Sequence, residues 1–345
     1  MTQLRKISIF TASMGKGGSE RVLSYLVREM VQQEDEVSLH LLIDSTVAYP
    51  LPEQVSVHSV RKYKSKVANT FYWFKSIRRV VKEVDVVISF AYKINIIVYF
   101  ASLGLNKKLI FSERNHPKYD GRSRFGLLLC NFVYKRIDKL VVQNKSIQQC
   151  FDQGVIHNSI IIPNPVKKVL DFEYHSDSKK VVAIGRLVSQ KNFPFLIEAF
   201  SFVIREEPEM QLVIYGEGPL RDELEELING QGLSSNVSLP GVVDDIFMEL
   251  SKASLFVQVS IYEGQSNALL EAMIHGIPPF VLYYDGLEEI IEDQVSGIIS
   301  RADRPEIFAY QMLDFYNNNS RKSSINQHLL MQSRGSSISS VFSLW

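Results

Sequence analysis

Short β-branched segments alternate with amphipathic segments along the whole chain, and this alternation restricts the possible folds more than any other feature. Glu20–Val31 and Thr70–Lys82 have helical periodicity. Apolar strands that alternate with helices are typical of a doubly wound parallel sheet. In the first half the pattern predicts six strands: Lys6–Phe10, Glu36–Ile43, Val55–Val60, Val84–Phe90, Lys108–Ser112 and Lys139–Gln143.

The pattern restarts in the second half of the chain. Predicted strands are Lys180–Ile184, Gln211–Tyr215, Asn236–Leu239 and Leu255–Val259. Predicted helices are Phe193–Ile204, Leu220–Ile228, Asn267–His275 and Leu287–Glu292. The chain therefore resolves into two Rossmann-like α/β halves. Because ligands bind outside the carboxyl ends of parallel strands, we expect both halves to face a central cleft.

Two prolines, Pro163 and Pro165, followed by the polar stretch Lys167–Lys179, indicate the boundary between the halves. We predict an N-terminal domain over residues 1–166 and a C-terminal domain over residues 167–330. The tail, residues 331–345, is expected to pack back on the N-terminal domain as a helix or an extended segment.

Composition excludes several classes of protein. A chain of 345 residues with 46% hydrophobic residues is neither disordered nor fibrous. Two cysteines, Cys130 and Cys150, exclude a disulfide scaffold and indicate a reducing compartment. The longest apolar run, Ile94 to Leu105, has roughly half the length of a spanning helix. We expect a cytoplasmic protein without a secretory segment.

The net charge of zero hides a division between a basic and an acidic half. Residues 1–170 contain 26 Lys and Arg but 13 Asp and Glu, whereas residues 171–345 contain 12 and 25. Residues 61–82 hold eight basic and five aromatic side chains and no acid. Such a segment is typical of a helix on an anionic membrane surface, although a crossover helix with its aromatics on the sheet remains an alternative. The candidate membrane residues are Lys62, Lys64, Lys66, Trp73, Lys75, Arg78 and Arg79; no nucleic acid partner is expected.

Three βα turns carry residues suited to a phosphorylated ligand. Gly17 and Gly18 open the first helix, near Ser19, without the spacing of a dinucleotide fingerprint or a P-loop. Gly185 ends a strand and precedes Arg186 and Lys191, two cations suited to a diphosphate.

A third segment joins a loop to a helix and contains two glutamates eight positions apart, Glu263 and Glu271. The residues between them, Gly264-Gln265-Ser266-Asn267-Ala268, begin the helix. Backbone N–H groups near Ser266–Ala268 therefore provide an anion site, and Glu263 precedes the helix where it can reach a ligand held there.

These motifs, in this order, resemble the retaining glycosyltransferases of family 4, which have the GT-B fold. The residues that carry the resemblance are Gly17-Gly18-Ser-Glu-Arg, Ile162-Pro-Asn-Pro, Gly185-Arg-Leu with Lys191-Asn, Tyr215-Gly-Glu-Gly218, and Glu263 with Glu271. Ser112-Glu-Arg-Asn115-His116 is most similar to bacterial enzymes that extend lipid-linked oligosaccharides. The resemblance covers roughly residues 5–345.

The resemblance implies that Arg186 and Lys191 bind the diphosphate of a sugar nucleotide. It places Glu263 on the donor sugar, Glu271 on the ribose, and the Gly17–Gly18 loop over the donor. It also implies that residues 1–166 form the acceptor-binding, membrane-facing domain, in which the membrane candidates are acceptor candidates too, and that residues 167–330 bind the sugar nucleotide. By the same resemblance, the catalytic candidates are Glu263, Arg186, Lys191 and His116. The donor-binding candidates are Gly17, Gly18, Gly185, Glu217, Gly264, Gln265, Ser266, Asn267, Ala268 and Glu271.

The expected activity is metal-independent, retaining transfer of a hexose or N-acetylhexosamine. The donor is a nucleoside-diphosphate sugar, expected to be UDP-linked, and the acceptor an undecaprenyl-diphosphate-linked saccharide of O-antigen or capsule biosynthesis, at the inner face of the plasma membrane. No D-x-D motif occurs, so we expect neither metal nor cofactor. Whether His116, Glu113 or the leaving phosphate accepts the acceptor proton stays open. The alternatives are a sugar-nucleotide-binding scaffold without turnover and a nicotinamide-dependent oxidoreductase.

Overall fold

The computed structural model describes residues 5–15, 17–59, 66–166, 174–243 and 245–333. The chain divides into two α/β units, of which the first ends at Pro165 and the second begins at Val166. This division lies at the prolines that indicated a boundary. Of the predicted polar linker, residues 167–173 lie outside the described part. The same holds for residues 334–345 of the predicted tail.

The first unit is built on a seven-stranded parallel sheet with the order β3-β2-β1-β4-β5-β6-β7. Its strands are β1 (Lys6–Thr11), β2 (Glu36–Leu41), β3 (Ser56–Ser59), β4 (Val86–Phe90), β5 (Lys108–Ser112), β6 (Lys139–Val142) and β7 (Ser159–Ile161). Its helices are α1 (Gly18–Gln32), α2 (Lys66–Lys82), α3 (Tyr92–Ser102), α4 (Arg124–Tyr134), α5 (Lys145–Gln148) and α6 (Gln153–His157). Because parallel crossovers are right-handed, α1 lies on one face of this sheet and α2, α3 and α4 on the other.

The second unit is built on a six-stranded parallel sheet with the order β10-β9-β8-β11-β12-β13. Its strands are β8 (Lys180–Ile184), β9 (Gln211–Tyr215), β10 (Val237–Gly241), β11 (Leu255–Gln258), β12 (Pro279–Leu282) and β13 (Ile298–Ser300). Its helices are α7 (Phe193–Glu206), α8 (Arg221–Gly230), α9 (Ile246–Ser251), α10 (Asn267–Ile274), α11 (Pro305–Asn317) and α12 (Asn319–Ser333). The strand order reverses between β8 and β11, which is where an open α/β sheet binds its ligand.

The predicted fold class, two doubly wound α/β halves, is confirmed, and one predicted helix is wrong. Residues 287–292 form only a single 3₁₀ turn, Leu287–Glu289. Gly286 enters this turn at φ 91°, and two of the backbone N–H groups beyond it donate to side chains. The Glu292 N–H donates to Ser296 Oγ at 2.9 Å, and the Ile299 N–H donates to Asp293 Oδ1 at 2.8 Å.

Each unit has its own apolar core between its sheet and its helices. The apolar run that begins at Ile94 forms α3, which buries Ile94, Val98 and Ala101. None of the helices in the described ranges is both long and apolar enough to cross a bilayer.

Two glycines after β9 allow the loops that follow β8 and β9 to touch through their backbones. A Cβ atom on Gly216, whose φ is 145°, would lie 1.9 Å from the carbonyl oxygen of Gly185, and one on Gly218 would lie 2.3 Å from that of Leu187. The Leu187 N–H donates to the Glu217 carbonyl at 2.9 Å. This contact therefore holds the chain segment that contains Arg186.

We expect Gly218→Ala to destabilise the second unit by about 1–3 kcal/mol, because the new methyl group meets backbone that has to move. Gly230→Ala is the matched control. Gly230 ends α8 with open space around it, so Ala there should be neutral or add about 0.5–1 kcal/mol of stability. Calorimetric unfolding of both variants measures the difference, and equal stability of the two would contradict the close packing at Gly218.

Candidate active site

The loop after β8 folds back so that Lys191 lies over Gly185. Residues Ser189–Lys191 form one 3₁₀ turn, and Asn192 then adopts a left-handed conformation with φ 55° that leads into α7. A Cβ atom on Gly185 would lie 2.9 Å from Lys191 Cε. Glycine at position 185 therefore provides the space in which the lysine side chain lies.

Lys191 forms an ion pair with Glu263, which lies in the loop after β11. The distance from Lys191 Nζ to Glu263 Oε1 is 2.5 Å, and both side chains are largely buried. Ser260 Oγ donates to the same carboxylate oxygen at 2.7 Å. Gln190 Nε2 lies 3.4 Å from the other oxygen and 2.8 Å from the Tyr262 carbonyl. Several donors, one of them a cation, hold this carboxylate in one orientation.

A second layer of polar residues lies behind Glu263. Ser266 caps α10 by accepting the Leu269 N–H at 3.4 Å, and its hydroxyl donates to Gln258 Oε1 at 2.5 Å. Tyr284 is buried after β12, and burial, together with the negative charge of Glu263, raises the pKa of its hydroxyl. Tyr284 therefore remains neutral over the physiological pH range.

Sequence reasoning missed Gln190, Ser260, Gln258 and Tyr284. A usable signal was present for Ser260 and Tyr284, because each lies two residues after the end of a parallel strand. Parallel strands end at one edge of a sheet, so residues at those positions are expected to meet.

The remaining residues predicted in the second unit occupy different environments. Arg186 is exposed and forms no ion pair with the residues that the structure describes. Glu217 instead binds Arg221, whose Nη2 and Nε lie 2.6 and 2.9 Å from its two oxygens, and this hydrogen bonding lowers the pKa of Glu217. Glu271 is buried in α10, and its carbonyl accepts a hydrogen bond from His275 Nδ1 at 2.7 Å. Gly264 and Gln265 precede α10, and Asn267 and Ala268 form its first turn.

In the first unit, the start of α1 holds a carboxylate from the same chain. Gly17 is the N-cap of α1, and a Cβ atom there would lie 2.2 Å from Glu20 Oε2. Ser19 and Ser13 donate to Glu20 at 2.7 and 3.4 Å. An acidic side chain at this position complements the positive end of the helix dipole. The predicted role of Gly17 and Gly18 toward a donor stays a prediction.

A buried charge network follows β5. Arg122 Nη2 lies 2.7 Å from Glu113 Oε2 and 2.5 Å from Asp120 Oδ2, and Tyr134 donates its hydroxyl proton to Glu113. Burial raises the pKa of Glu113, against the lowering effect of the Arg122 charge. Glu113, one of the two candidate bases, is thus fully engaged in fixing the loop between residues 113 and 122.

His116, the other candidate base, is buried in the same loop. Its Nδ1 accepts the Lys118 N–H at 3.4 Å, and its Nε2 is hydrogen-bonded to Ser146 Oγ at 3.1 Å. Cys150 Sγ lies 3.9 Å from Nε2. A catalytic role for His116 stays a prediction.

The predicted membrane residues are only partly within the described chain. Lys62 and Lys64 lie outside it, and Lys66 is the first residue of α2. Trp73 packs against the core, whereas Lys75 and Arg79 are exposed. Arg78 Nη1 donates to the carbonyls of Ala101 and Leu103, each at 2.9 Å, and thereby caps α3.

No group of three or more His, Cys, Asp or Glu side chains suited to a metal ion occurs in the described part of the chain.

Two family models match the chain. Residues 16–168 match Glycosyltransferase Family 4, and residues 178–318 match Glycosyl transferases group 1. Together the two matches cover most of both units.

Curated relatives and solved structures agree with the family models. A Campylobacter jejuni protein named GalNAc-α-(1→4)-GalNAc-α-(1→3)-diNAcBac-PP-undecaprenol α-1,4-N-acetyl-D-galactosaminyltransferase is 28% identical over 94% of this chain and 92% of its own length. A second C. jejuni protein, an N-acetylgalactosamine-N,N'-diacetylbacillosaminyl-diphospho-undecaprenol 4-α-N-acetylgalactosaminyltransferase, is 27% identical over 87% of each chain.

Among solved structures, Anabaena HepE with UDP and glucose is similar with a TM-score of 0.81, at 16% identity, over 99% of this chain and 98% of that one. A Staphylococcus aureus TarM variant with UDP is similar with a TM-score of 0.83, at 16% identity, over 99% of each chain. From the two family matches and these similarities we conclude that the chain belongs to the family 4 glycosyltransferases and has the GT-B fold.

Proposed function

We propose that this glycosyltransferase transfers a hexose or N-acetylhexosamine from a UDP-linked sugar to an undecaprenyl-diphosphate-linked saccharide in surface polysaccharide biosynthesis, with retention of the anomeric configuration. The observation that carries the proposal is the Lys191–Glu263 ion pair at the carboxyl edge of the second sheet, above Gly185. It places a cation and a carboxylate side by side where a doubly wound sheet binds its ligand.

The two charges suit the two halves of a glycosyl transfer. As the bond between the anomeric carbon and the diphosphate breaks, negative charge grows on the leaving oxygen and positive charge on the sugar ring. Lys191 and the exposed Arg186 stabilise the diphosphate, while the Glu263 carboxylate orients the sugar and stabilises its positive charge. Ser260 and Gln190 hold Glu263 in place for this role.

Names of the relatives and of the solved structures support the choice of donor and acceptor. Two C. jejuni relatives are named as α-transferases that act on saccharides linked to undecaprenol diphosphate, and HepE and TarM were solved with UDP. A sugar that is α-linked to its diphosphate gives an α-product only when its configuration is retained. Retention with a UDP-sugar is therefore the proposal that fits these names.

We assign the acceptor proton to the leaving phosphate. The C–O bond to the diphosphate breaks, the acceptor oxygen bonds the anomeric carbon on the same face, and its proton passes to the released phosphate oxygen. The contacts of both candidate protein bases support this choice. The Glu113 carboxylate is bound by Arg122 and Tyr134, and the His116 ring is bound by Ser146. Because the chain belongs to a family of transferases, the oxidoreductase alternative is excluded. A measurement of turnover distinguishes an enzyme from a sugar-nucleotide-binding scaffold.

We expect Arg186→Ala and Lys191→Ala each to cost about 2–4 kcal/mol of transition-state stabilisation. That corresponds to a roughly 30- to 1000-fold loss of kcat/KM. The matched control is Arg205→Ala, because Arg205 lies at the far end of α7, about 20 Å from Lys191 at 1.5 Å per residue. Sugar-nucleotide turnover, with product mass and anomeric NMR, measures the effect, and wild-type rates in both active-site variants would contradict the assignment.

Transfer should proceed without a divalent cation, because Arg186, Lys191 and the N-terminus of α10 supply the positive charge. Turnover in excess EDTA measures this directly. We expect at least half of the untreated rate. Complete loss in EDTA, restored by added Mg²⁺ or Mn²⁺, would show that a metal ion neutralises the diphosphate instead.

A further inference from the structure

Three consecutive helices on one face of the first sheet contain no acidic residue. They are α2, α3 and α4, and their basic residues are Lys66, Lys75, Arg78, Arg79, Lys82, Lys93 and Arg124. On the other face of the same sheet, α1 contains Glu20 and Glu29. The absence of acids therefore extends from the segment that sequence reasoning singled out, residues 61–82, to two helices that it did not consider.

The outer face of α4 is apolar although it is exposed. Phe125, Leu128 and Phe132 lie at positions i, i+3 and i+7 with exposed fractions of 73%, 65% and 45%. The opposite face of the helix buries Cys130 and Val133. Large apolar side chains that share one exposed stripe are uncommon on a soluble surface and indicate an interaction site.

Direct contacts connect this stripe with α2. Arg78 of α2 caps the carboxyl end of α3. The Tyr99 ring of α3 lies 5.4 Å from the Phe100 ring and 6.4 Å from the Phe132 ring of α4. Phe100 and Leu103 are exposed between the two helices. We call the exposed side chains of α2, the end of α3 and the stripe on α4 the basic apolar surface.

We propose that the basic apolar surface docks on an anionic lipid bilayer and that α4 inserts Phe125, Leu128 and Phe132 among the headgroups and upper acyl chains. Charge complementarity selects this occupant, because basic side chains with no acid among them match anionic headgroups. Arg136 fits the same boundary, since its guanidinium lies 3.9 Å from the Phe132 ring and bonds the Phe132 carbonyl at 2.8 Å. The proposal rests on the proposed function in one respect, namely that the acceptor is a lipid-linked saccharide.

A second copy of the chain fits this surface less well. In a symmetric dimer each patch meets its own copy, so cations would face cations with no acid from the three helices to neutralise them. Asp152 lies outside the three helices and already pairs with Lys135, the residue that follows α4, at 2.6 Å.

The test compares three variants of the full-length protein in sedimentation with phosphatidylglycerol-rich vesicles. Phe125→Ser, Leu128→Ser and Phe132→Ser combined should lower the vesicle partition coefficient at least about tenfold, because three large apolar side chains lose their burial. The second variant, with Lys75, Arg79 and Lys82 changed to Ser, removes cations from α2. The matched control changes three exposed apolar residues of the second unit, Met248, Tyr310 and Met331, to Ser and should bind like wild type.

Salt separates the contribution of α4 from that of α2. In about 1 M salt, where the Debye length is about 3 Å, the α2 variant should bind like wild type, whereas the α4 variant should still bind more weakly. Transfer to a soluble short-chain acceptor is measured in parallel and should be equal in wild type, the α4 variant and the second-unit control. An inactive wild type with normal vesicle binding would contradict the proposed function alone.

A single substitution tests insertion without disturbing the fold. Against the background of the native Trp73 and Trp345, the fluorescence that Phe125→Trp adds should be quenched by lipids with brominated acyl chains, and the fluorescence that Met248→Trp adds should not. Equal vesicle binding by the α4 variant and wild type, or equal quenching of the two tryptophans, would overturn the proposal. So would a dimer in sedimentation velocity that only the α4 variant dissociates, with vesicle binding unchanged.

Discussion

The ion pair between Lys191 and Glu263 joins two loops that are 72 residues apart in sequence, and the arrangement of the second unit's ligand edge depends on it. β8 and β11 are neighbours at the point where the strand order reverses, so the loops that follow them leave the sheet side by side. Gly185 leaves room for the lysine side chain, and Ser260 binds the same oxygen of the glutamate. The proposed function relies on a pair fixed in this way, because its donor carries both a diphosphate and a sugar.

The first unit uses its charged residues differently. The Glu20 carboxylate lies against the N-terminal end of α1, and Arg122 pairs with Glu113 and Asp120 in a buried network. Removing one member of such a network leaves a buried charge without a partner, which is far more costly than losing a surface pair. These groups therefore stabilise the loops after β1 and β5.

Sequence periodicity was sufficient for the fold class because long apolar strands and amphipathic helices leave a strong pattern. β7 and β13 were missed because each has only three residues, too few for a pattern to emerge, and β12 was missed although it is as long as the predicted strands β3, β6 and β11. The prediction of a helix over Leu287–Glu292 was wrong because the hydrophobic pattern does not show where a helix ends. Gly286 and the side chains of Asp293 and Ser296 divert the backbone after one turn.

The contacts of the predicted site residues could be foreseen only in part, for a related reason. Lys191 and Glu263 stood out because each is a charged residue in a βα turn, but their contact depends on which strands are neighbours. Glu217 was assigned to the donor, yet it pairs with Arg221, four residues along the chain. Sequence reasoning did not consider α4, and its apolar sequence does not reveal that Phe125, Leu128 and Phe132 face outward. Both apolar faces of that helix look alike in sequence, and only packing decides which is buried.

The central claim is that Lys191 and Glu263 act as one unit on the donor, and a double-mutant cycle in kcat/KM tests it most directly. The variants are Lys191→Met, Glu263→Gln and the two combined, assayed with the sugar nucleotide that the wild type uses. Residues that act through each other are expected to show a coupling free energy of about 0.5–3 kcal/mol, so the combined loss should be clearly smaller than the product of the single losses. Losses that simply multiply would show that the two residues act independently and would contradict the account.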